Sequence, residues 1–345
     1  MAKIGILGTT SWGTTLALVA HRAGAEVTLW ARTPLEADTL IKEGENRRFL
    51  PGVVLPSGIS ITASADLVFG NADIVIIAVP SKTMRVNSKM LSKSVSEAAI
   101  VVSAVKGLEI TTGKRMSEIL SEELPEDCRS RICVLSGPNL ASEIVRNKPA
   151  STVVGSKDKK SAVYVQSLLN SHNFKIYTNN DIVGMELGGA LKNILAIGAG
   201  VCDGLSLGDN AKATLITRGL TEIARLGIAA GADPLTFAGL TGFGDTVATC
   251  ASKLSRNHQV GVELAQGRNL ESILKTMKHV AEGVDTTRAA LHLANNLDIE
   301  MPILETTYQV LFNGMDVLEA VAGLDSRDPV QEWPNIQPPF EEYFC

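Results

Sequence analysis

The strongest constraint on this chain lies in its first 23 residues. An apolar run, Lys3-Ile4-Gly5-Ile6-Leu7, leads directly into Gly8-Thr9-Thr10-Ser11-Trp12-Gly13-Thr14, and Ser11 to Ala23 then has helical periodicity. A strand that turns through glycine into a helix is the opening half of a βαβ unit, and the same alternation continues downstream. Further strands are expected at Glu26–Trp30, Ile74–Val79, Ile100–Val105 and near Ile132–Leu135, with a last helix and strand within 160–178. Alternating strands and helices predict an α/β fold, a Rossmann-type doubly wound, mostly parallel sheet with helices on both faces. From about Asp181 the strand signals stop, and helical segments broken at Gly204–Gly208 and Gly239–Gly244 predict an all-α C-terminal domain. The expected division is 1–180, 181–325 and a Pro-rich acidic tail over 326–345.

Length agrees, since 345 residues at ~150 per domain allow about two domains with cores of their own. The formal net charge is −5, but 315–345 holds seven acids against one base, so the rest of the chain is nearly neutral. Without a run of five Lys/Arg, the footprint of a nucleic-acid-binding protein is missing. The five cysteines form no C-x-x-C pair and are odd in number, which argues against both a disulfide framework and a structural zinc site, and no metal is expected. The N-terminus lacks the pattern of a secretory signal. The most apolar later stretch, Leu187 to Val201, is interrupted by Lys192 and Asn193 and falls short of the ~20 residues of a span. A soluble cytoplasmic protein without stable membrane insertion is expected.

The first turn keeps two glycines of G-x-G-x-x-G, Gly8 for the tight turn and Gly13 for close helix–strand packing, with backbone amides at the helix start available to a pyrophosphate. This makes 1–180 the dinucleotide-binding domain. The middle glycine is replaced by Thr10, whose Cβ is expected to weaken or shift the cofactor grip. Leu29-Trp30-Ala31-Arg32-Thr33 ends the second strand without the acid that commonly holds the ribose hydroxyls of NAD. Arg32 is either a 2′-phosphate partner, making NADP acceptable, or an ordinary exposed arginine.

Other strand ends face the same crevice. Val79-Pro80-Ser81 makes a rigid turn, Val105-Lys106-Gly107-Leu108-Glu109 places a lysine at a strand end, and Ser136-Gly137-Pro138-Asn139-Leu140-Ala141 runs into a helix with Pro138 suited to its first position. Within the helical stretch from Asp181, Lys192 stands alone among apolar residues with Gly188, Gly189, Ala196 and Ala199 along its face. That stripe leaves room beside an amine able to exchange protons, or else it serves tight helix packing with the lysine snorkelling to water. Asp245 follows Gly242-Phe243-Gly244. Ser255-Arg256-Asn257 could clamp a phosphate ester, although Asp245 and Ser255 could equally be helix caps.

These motifs, together with Leu215–Gly219 and Val280-Ala281-Glu282-Gly283, occur in an order that resembles the bacterial-type NAD(P)-dependent glycerol-3-phosphate dehydrogenase family over residues 3–315. The resemblance implies reversible reduction of dihydroxyacetone phosphate to sn-glycerol 3-phosphate for phospholipid synthesis, with NAD or NADP as cofactor. It implies that Lys192 is the proton donor/acceptor and that Lys106, Gly137, Asn139, Asp245, Ser255, Arg256 and Asn257 bind substrate. It further implies cofactor contacts at Gly8, Ser11, Trp12, Gly13, Arg32, Lys106, Ala141, Arg256, Val280 and Glu282. A homodimer is compatible with the family and with the apolar helical half. A related reductase of a 3-hydroxy or 2-oxo acid, or a catalytically silent nucleotide binder, would share the architecture. Ser255-Arg256-Asn257 speaks against the first, and the three residues Lys106, Lys192 and Asp245 against the second.

Overall fold

A computed structural model describes residues 1–277 and 280–328. The first part is one eight-stranded sheet formed by β1 (Lys3–Leu7), β2 (Glu26–Trp30), β3 (Ile59–Thr62), β4 (Ile74–Ile77), β5 (Ile100–Ser103), β6 (Ile132–Ser136), β7 (Ala150–Ser156) and β8 (Phe174–Asn179). Their spatial order is β3-β2-β1-β4-β5-β6-β7-β8. Every pairing is parallel except β6 with β7. The chain steps outward from β1 in one direction and then returns to β4 on its other side, and that switch opens a crevice at the strands' carboxyl ends.

Side chains alternate along the strands and supply two apolar layers. Ile4, Ile6, Leu29, Ile74, Ile76 and Val102 belong to one buried cluster, and Leu7, Val75, Ile77 and Val101 to another. Two strands escape the sequence reading. β3, Ile-Ser-Ile-Thr, has only four residues, and the small polar residues of β7, Ala-Ser-Thr-Val-Val-Gly-Ser, hide its strand character. β4 and β5 also stop two residues earlier than expected, so Lys106 lies three residues beyond its strand.

The first turn explains its glycines. Gly8 has φ +119°, and a Cβ there would lie 2.7 Å from the Ala78 carbonyl oxygen. A Cβ on Gly13 would lie 2.0 Å from the Gly8 carbonyl oxygen, because helix Ser11–Arg22 folds back onto the turn. Thr10 is the N-cap of that helix. Its hydroxyl accepts from the Gly13 amide at 3.1 Å and donates to the Ala78 carbonyl at 2.7 Å, so the side chain is fixed against the sheet.

After β8 the described residues are helical or in connecting turns, beginning with the 23-residue helix Ile182–Gly204. By length and composition this helix could cross a membrane, contrary to the sequence reading, which placed its apolar stretch short of a span; its mean hydropathy is 1.3 over an 18-residue window. Of that window, 89% is buried inside the protein, and the helix serves as the spine of the second half. It meets helix Arg256–Ala265 in backbone contact: a Cβ on Gly200 would lie 2.0 Å from the His258 carbonyl oxygen, and one on Gly261 1.9 Å from that of Ile197. Cys128, Cys133, Cys202 and Cys250 are buried free thiols. The tail expected over 326–345 falls mostly outside the described residues, as does Cys345.

Gly13→Ala is expected to lower folding stability by about 1–3 kcal/mol, the range for forcing atoms into a filled site, since both contacting groups are backbone. A thermal or denaturant midpoint equal to wild type would show that the turn can yield.

Candidate active site

Lys192 projects from the middle of helix Ile182–Gly204 and is 5% exposed. It does not snorkel. Its ammonium donates to Asp245 Oδ1 at 2.5 Å and to Thr249 Oγ1 at 2.5 Å. Asp245 opens helix Asp245–Ala251 directly after the π-helical turn Leu240–Gly244, and Thr249 stands one helical turn later on the same face. The second carboxylate oxygen, Oδ2, accepts from Lys106 Nζ at 2.7 Å, and Lys106 also donates to the Gly137 carbonyl at 2.8 Å. One aspartate from the helical half therefore joins two lysines, one from its own half and one from the sheet.

The small-residue face of the long helix is occupied by protein. A Cβ on Gly188 would lie 2.9 Å from the Thr241 carbonyl oxygen, and one on Gly189 2.5 Å from Ser136 Oγ. The glycines thus admit the π-turn that carries Asp245 and the end of β6, instead of leaving open space beside the amine. Burial pushes the Lys192 pKa down to about 8, assisted by the charge of Lys106 and opposed by Asp245.

Beyond β6, Gly137 adopts φ +148°, and Asn139 donates through Nδ2 to Thr152 Oγ1 at 2.9 Å. The chain bends at Gly137 and Pro138 and the next helix starts at Ala141 with Leu140 as its N-cap, so Pro138 does not occupy the first helical position as expected. Asn139 Oδ1 and Ser136 Oγ are buried without a hydrogen-bond partner.

The Ser255-Arg256-Asn257 tripeptide divides its work. Ser255 caps helix Arg256–Ala265, its hydroxyl accepting from the His258 amide at 3.3 Å. Asn257 donates to Asn193 Oδ1 at 2.9 Å and accepts from the Gly283 amide at 2.9 Å, tying three helical segments together. The guanidinium of Arg256 makes no hydrogen bond or ion pair among the described residues. Arg256 is exposed by surface area yet surrounded closely enough by protein to lower its pKa, as a residue lining an open cleft would be, with Glu282 opposing that shift. Glu282, at the start of helix Glu282–Asn296, accepts from both the hydroxyl and the amide of Ser81 after β4. Burial raises the Glu282 pKa against those bonds. Val280 is half-buried just before that helix, beyond the undescribed residues 278–279.

At the other end of the crevice, Ser11 donates to the Phe49 carbonyl at 2.5 Å, while Trp12 and Ala141 are half-buried. The end of β2 itself carries no acid, but the fold brings one to Arg32 from the next helix. Glu36, in the first turn of helix Pro34–Glu43, returns its carboxylate to the Arg32 amide at 3.0 Å and Nε at 3.1 Å. Sequence reasoning missed Glu36 and Thr249, and gave Ser81 no role beyond the rigid turn Val79-Pro80-Ser81. Thr33-x-x-Glu36 has the spacing of a capping box, and Asp245 and Thr249 have the i,i+4 spacing of one helical face, so both missed residues carried a signal. Among the described residues no group of three or more His, Cys, Asp or Glu side chains is arranged to hold a metal ion.

Two family models match in sequence order: the NAD-dependent glycerol-3-phosphate dehydrogenase N-terminus over residues 3–162 and the C-terminus over 181–322. The chain belongs to the NAD-dependent glycerol-3-phosphate dehydrogenase family. It is 50% identical to the NAD(P)+ glycerol-3-phosphate dehydrogenase of Dehalococcoides mccartyi strain 195 over 333 residues, covering 96% of this chain and 93% of that one. With the Bacillus cytotoxicus protein of the same name it shares 46% identity over 327 residues, 95% and 96% of the two chains. The crystal structure of glycerol-3-phosphate dehydrogenase from Coxiella burnetii superposes with a TM-score of 0.89 at 33% identity, covering 94% of this chain and 99% of that one. The likeness to these dehydrogenases therefore spans both the sheet and the helical half.

Two substitutions should move Lys192 in opposite directions from its pKa of about 8. Asp245→Asn removes the opposite charge and lowers the pKa, whereas Lys106→Met removes a like charge and raises it, each by about one unit. Titration of side-chain-labelled lysine followed by NMR reads both, and two unmoved curves would leave burial as the sole cause.

Proposed function

We propose that this protein interconverts dihydroxyacetone phosphate and sn-glycerol 3-phosphate, using NAD or NADP, with Lys192 as the group that moves the proton at the C2 oxygen. As a family member it is an NAD(P)-dependent oxidoreductase, and we place its action in the cytoplasm, supplying glycerol 3-phosphate for phospholipid synthesis. The observation that carries this reading is the buried Lys192–Asp245–Lys106 cluster, assembled from both halves of the chain with the unpaired Arg256 guanidinium on the same helical half.

The crevice residues fit a dinucleotide. The glycine turn after β1 sits at the sheet's switch point, a helix N-terminus follows it, and Glu36 reaches back from the helix after β2 to Arg32. Gly8, Ser11, Trp12, Gly13, Arg32, Ala141, Val280 and Glu282 would hold the cofactor, which when bound supplies or accepts the hydride at C2.

The chain's own residues do the rest. Arg256, at the first position of its helix, offers a guanidinium suited to phosphate oxygens, with Ser255 and Asn257 adjoining. Lys106, Gly137 and Asn139 would orient the glycerol end. In the reductive direction the Lys192 ammonium donates a proton to the C2 oxygen, and in the oxidative direction the neutral amine takes it back. Asp245 holds the ammonium in place and sustains part of its basicity, while the enclosing apolar helix keeps the pKa near working pH.

The sign of the pH dependence follows. Reduction needs Lys192 protonated, so its rate falls as pH rises through about 8, while oxidation needs it neutral and its rate rises through the same range. NADH and NADPH oxidation should be rapid with dihydroxyacetone phosphate and weak with unphosphorylated dihydroxyacetone. Lys192→Met should reduce turnover about 10²–10⁴-fold, the usual loss of a general acid, with cofactor dissociation constants nearly unchanged. Cofactor binding without phosphate-dependent oxidation would reject the reading in favour of a silent binder or a different substrate. Thr10→Gly should tighten NADH binding if the threonine Cβ loosens the pyrophosphate contact, and an unaltered dissociation constant would refute that role.

A further inference from the structure

We propose that Glu36 sets the choice between the two cofactors, by holding Arg32 in an ion pair that leaves the ribose end of the crevice suited to a free 2′-hydroxyl and poorly suited to a 2′-phosphate. This inference rests on the dinucleotide site described above.

The geometry is specific. Both oxygens of the Glu36 carboxylate are engaged: Oε1 accepts from Thr9 Oγ1 at 2.7 Å and from Arg32 NH2 at 3.3 Å, and Oε2 accepts from the Arg32 amide at 3.0 Å and Nε at 3.1 Å. Thr9 directly follows the turn glycine Gly8, and Arg32 lies two residues beyond β2. The carboxylate therefore bridges the two loops between which the adenosine ribose of a dinucleotide rests in this kind of sheet. The bond from buried Thr9 ties it to the turn, and the Glu36 side chain is only 19% exposed against 59% for Arg32. Burial alone would raise the carboxyl pKa, but the bonds from Arg32 and Thr9 outweigh it, so the group stays charged.

Charge then discriminates. Arg32 and Glu36 together are neutral, so a ribose hydroxyl finds a fixed acceptor, while a 2′-phosphate with close to two negative charges finds no net cation. Glu36 occupies the Nε–Nη2 edge of the Arg32 guanidinium, so a phosphate could take that edge in two parallel bonds only by displacing the carboxylate, which would set a bare carboxylate beside the anion. Nearby charges do not reverse this. Asp38 lines the same groove as Arg32, Arg47 is already paired with Glu43 and Glu45, and Arg48 stacks over the Phe49 ring.

Calorimetric binding without substrate tests the idea, using NADH, NADPH, 5′-AMP and 2′,5′-ADP with wild type, Glu36→Gln and Arg32→Met. Wild type should prefer NADH, and Glu36→Gln should shift the NADPH to NADH dissociation-constant ratio about tenfold toward NADPH, with the same trend in the mononucleotides. Arg32→Met should shift it about tenfold the other way, because the remaining carboxylate is uncompensated. A wild-type preference for NADPH, or a ratio constant within about twofold across the variants, overturns the inference while leaving the dinucleotide site intact. Failure of wild type to bind any of the four ligands overturns the site and the inference together. Circular dichroism checks folding, and if Glu36→Gln does not fold, the Arg32→Met shift decides.

Discussion

A single carboxylate holding two ammonium groups is the constraint around which this molecule is built. Lys192 is nearly sealed from water, and an isolated charge in such a place costs several kcal/mol. Asp245 offsets that cost only if the π-turn just before it presses against the long helix, which is why residue 188 has no side chain. The same carboxylate reaches Lys106 on the sheet. Packing, contact between the two halves and the state of the buried lysine are therefore consequences of one arrangement: the parts that hold the halves together also set the lysine's basicity.

Different physical signals made different parts legible in the sequence. Buried parallel strands need β-branched runs, and Lys3–Leu7 and Ile74–Ile77 display them openly, whereas β3 is too short and β7 too rich in Ser, Thr and Gly to stand out. Lys192 was conspicuous as a lone cation in an apolar helix, and Asp245 as an acid after a glycine pair. Glu36 was not, because its importance arises from a helical turn that brings it back to Arg32 while Thr9 approaches from another loop. Ser81 and Glu282 are 201 residues apart, and only the folded chain makes them partners. Periodicity indicated that helix 182–204 was helical and apolar. It could not show that the small-residue face would be filled by backbone from two other elements.

Polar joints between the helices repeat this logic on a smaller scale. Asn193, adjacent to Lys192 in sequence, accepts from Asn257, which in turn accepts from the Gly283 amide, one residue from Glu282. Elsewhere Glu222 caps helix Pro302–Phe312 from within, accepting from the Ile303 and Leu304 amides, and burial raises its pKa to about 7. Buried polar groups of this kind tolerate few alternative arrangements, since each rearrangement leaves a donor or acceptor unmet. They fix the positions of Lys192, Arg256 and Glu282 more closely than apolar packing alone would.

The long spine helix also bears on how the chain survives its own synthesis. During translation, residues 182–204 emerge before 209–265, which supply much of their eventual cover, and a stretch this apolar is a candidate for capture by a bilayer. A lysine near the centre of such a segment adds about 2.5–3.5 kcal/mol to the cost of insertion. Before it ever meets a substrate, the residue assigned to proton transfer marks the nascent helix as one that should remain in water until its partners arrive.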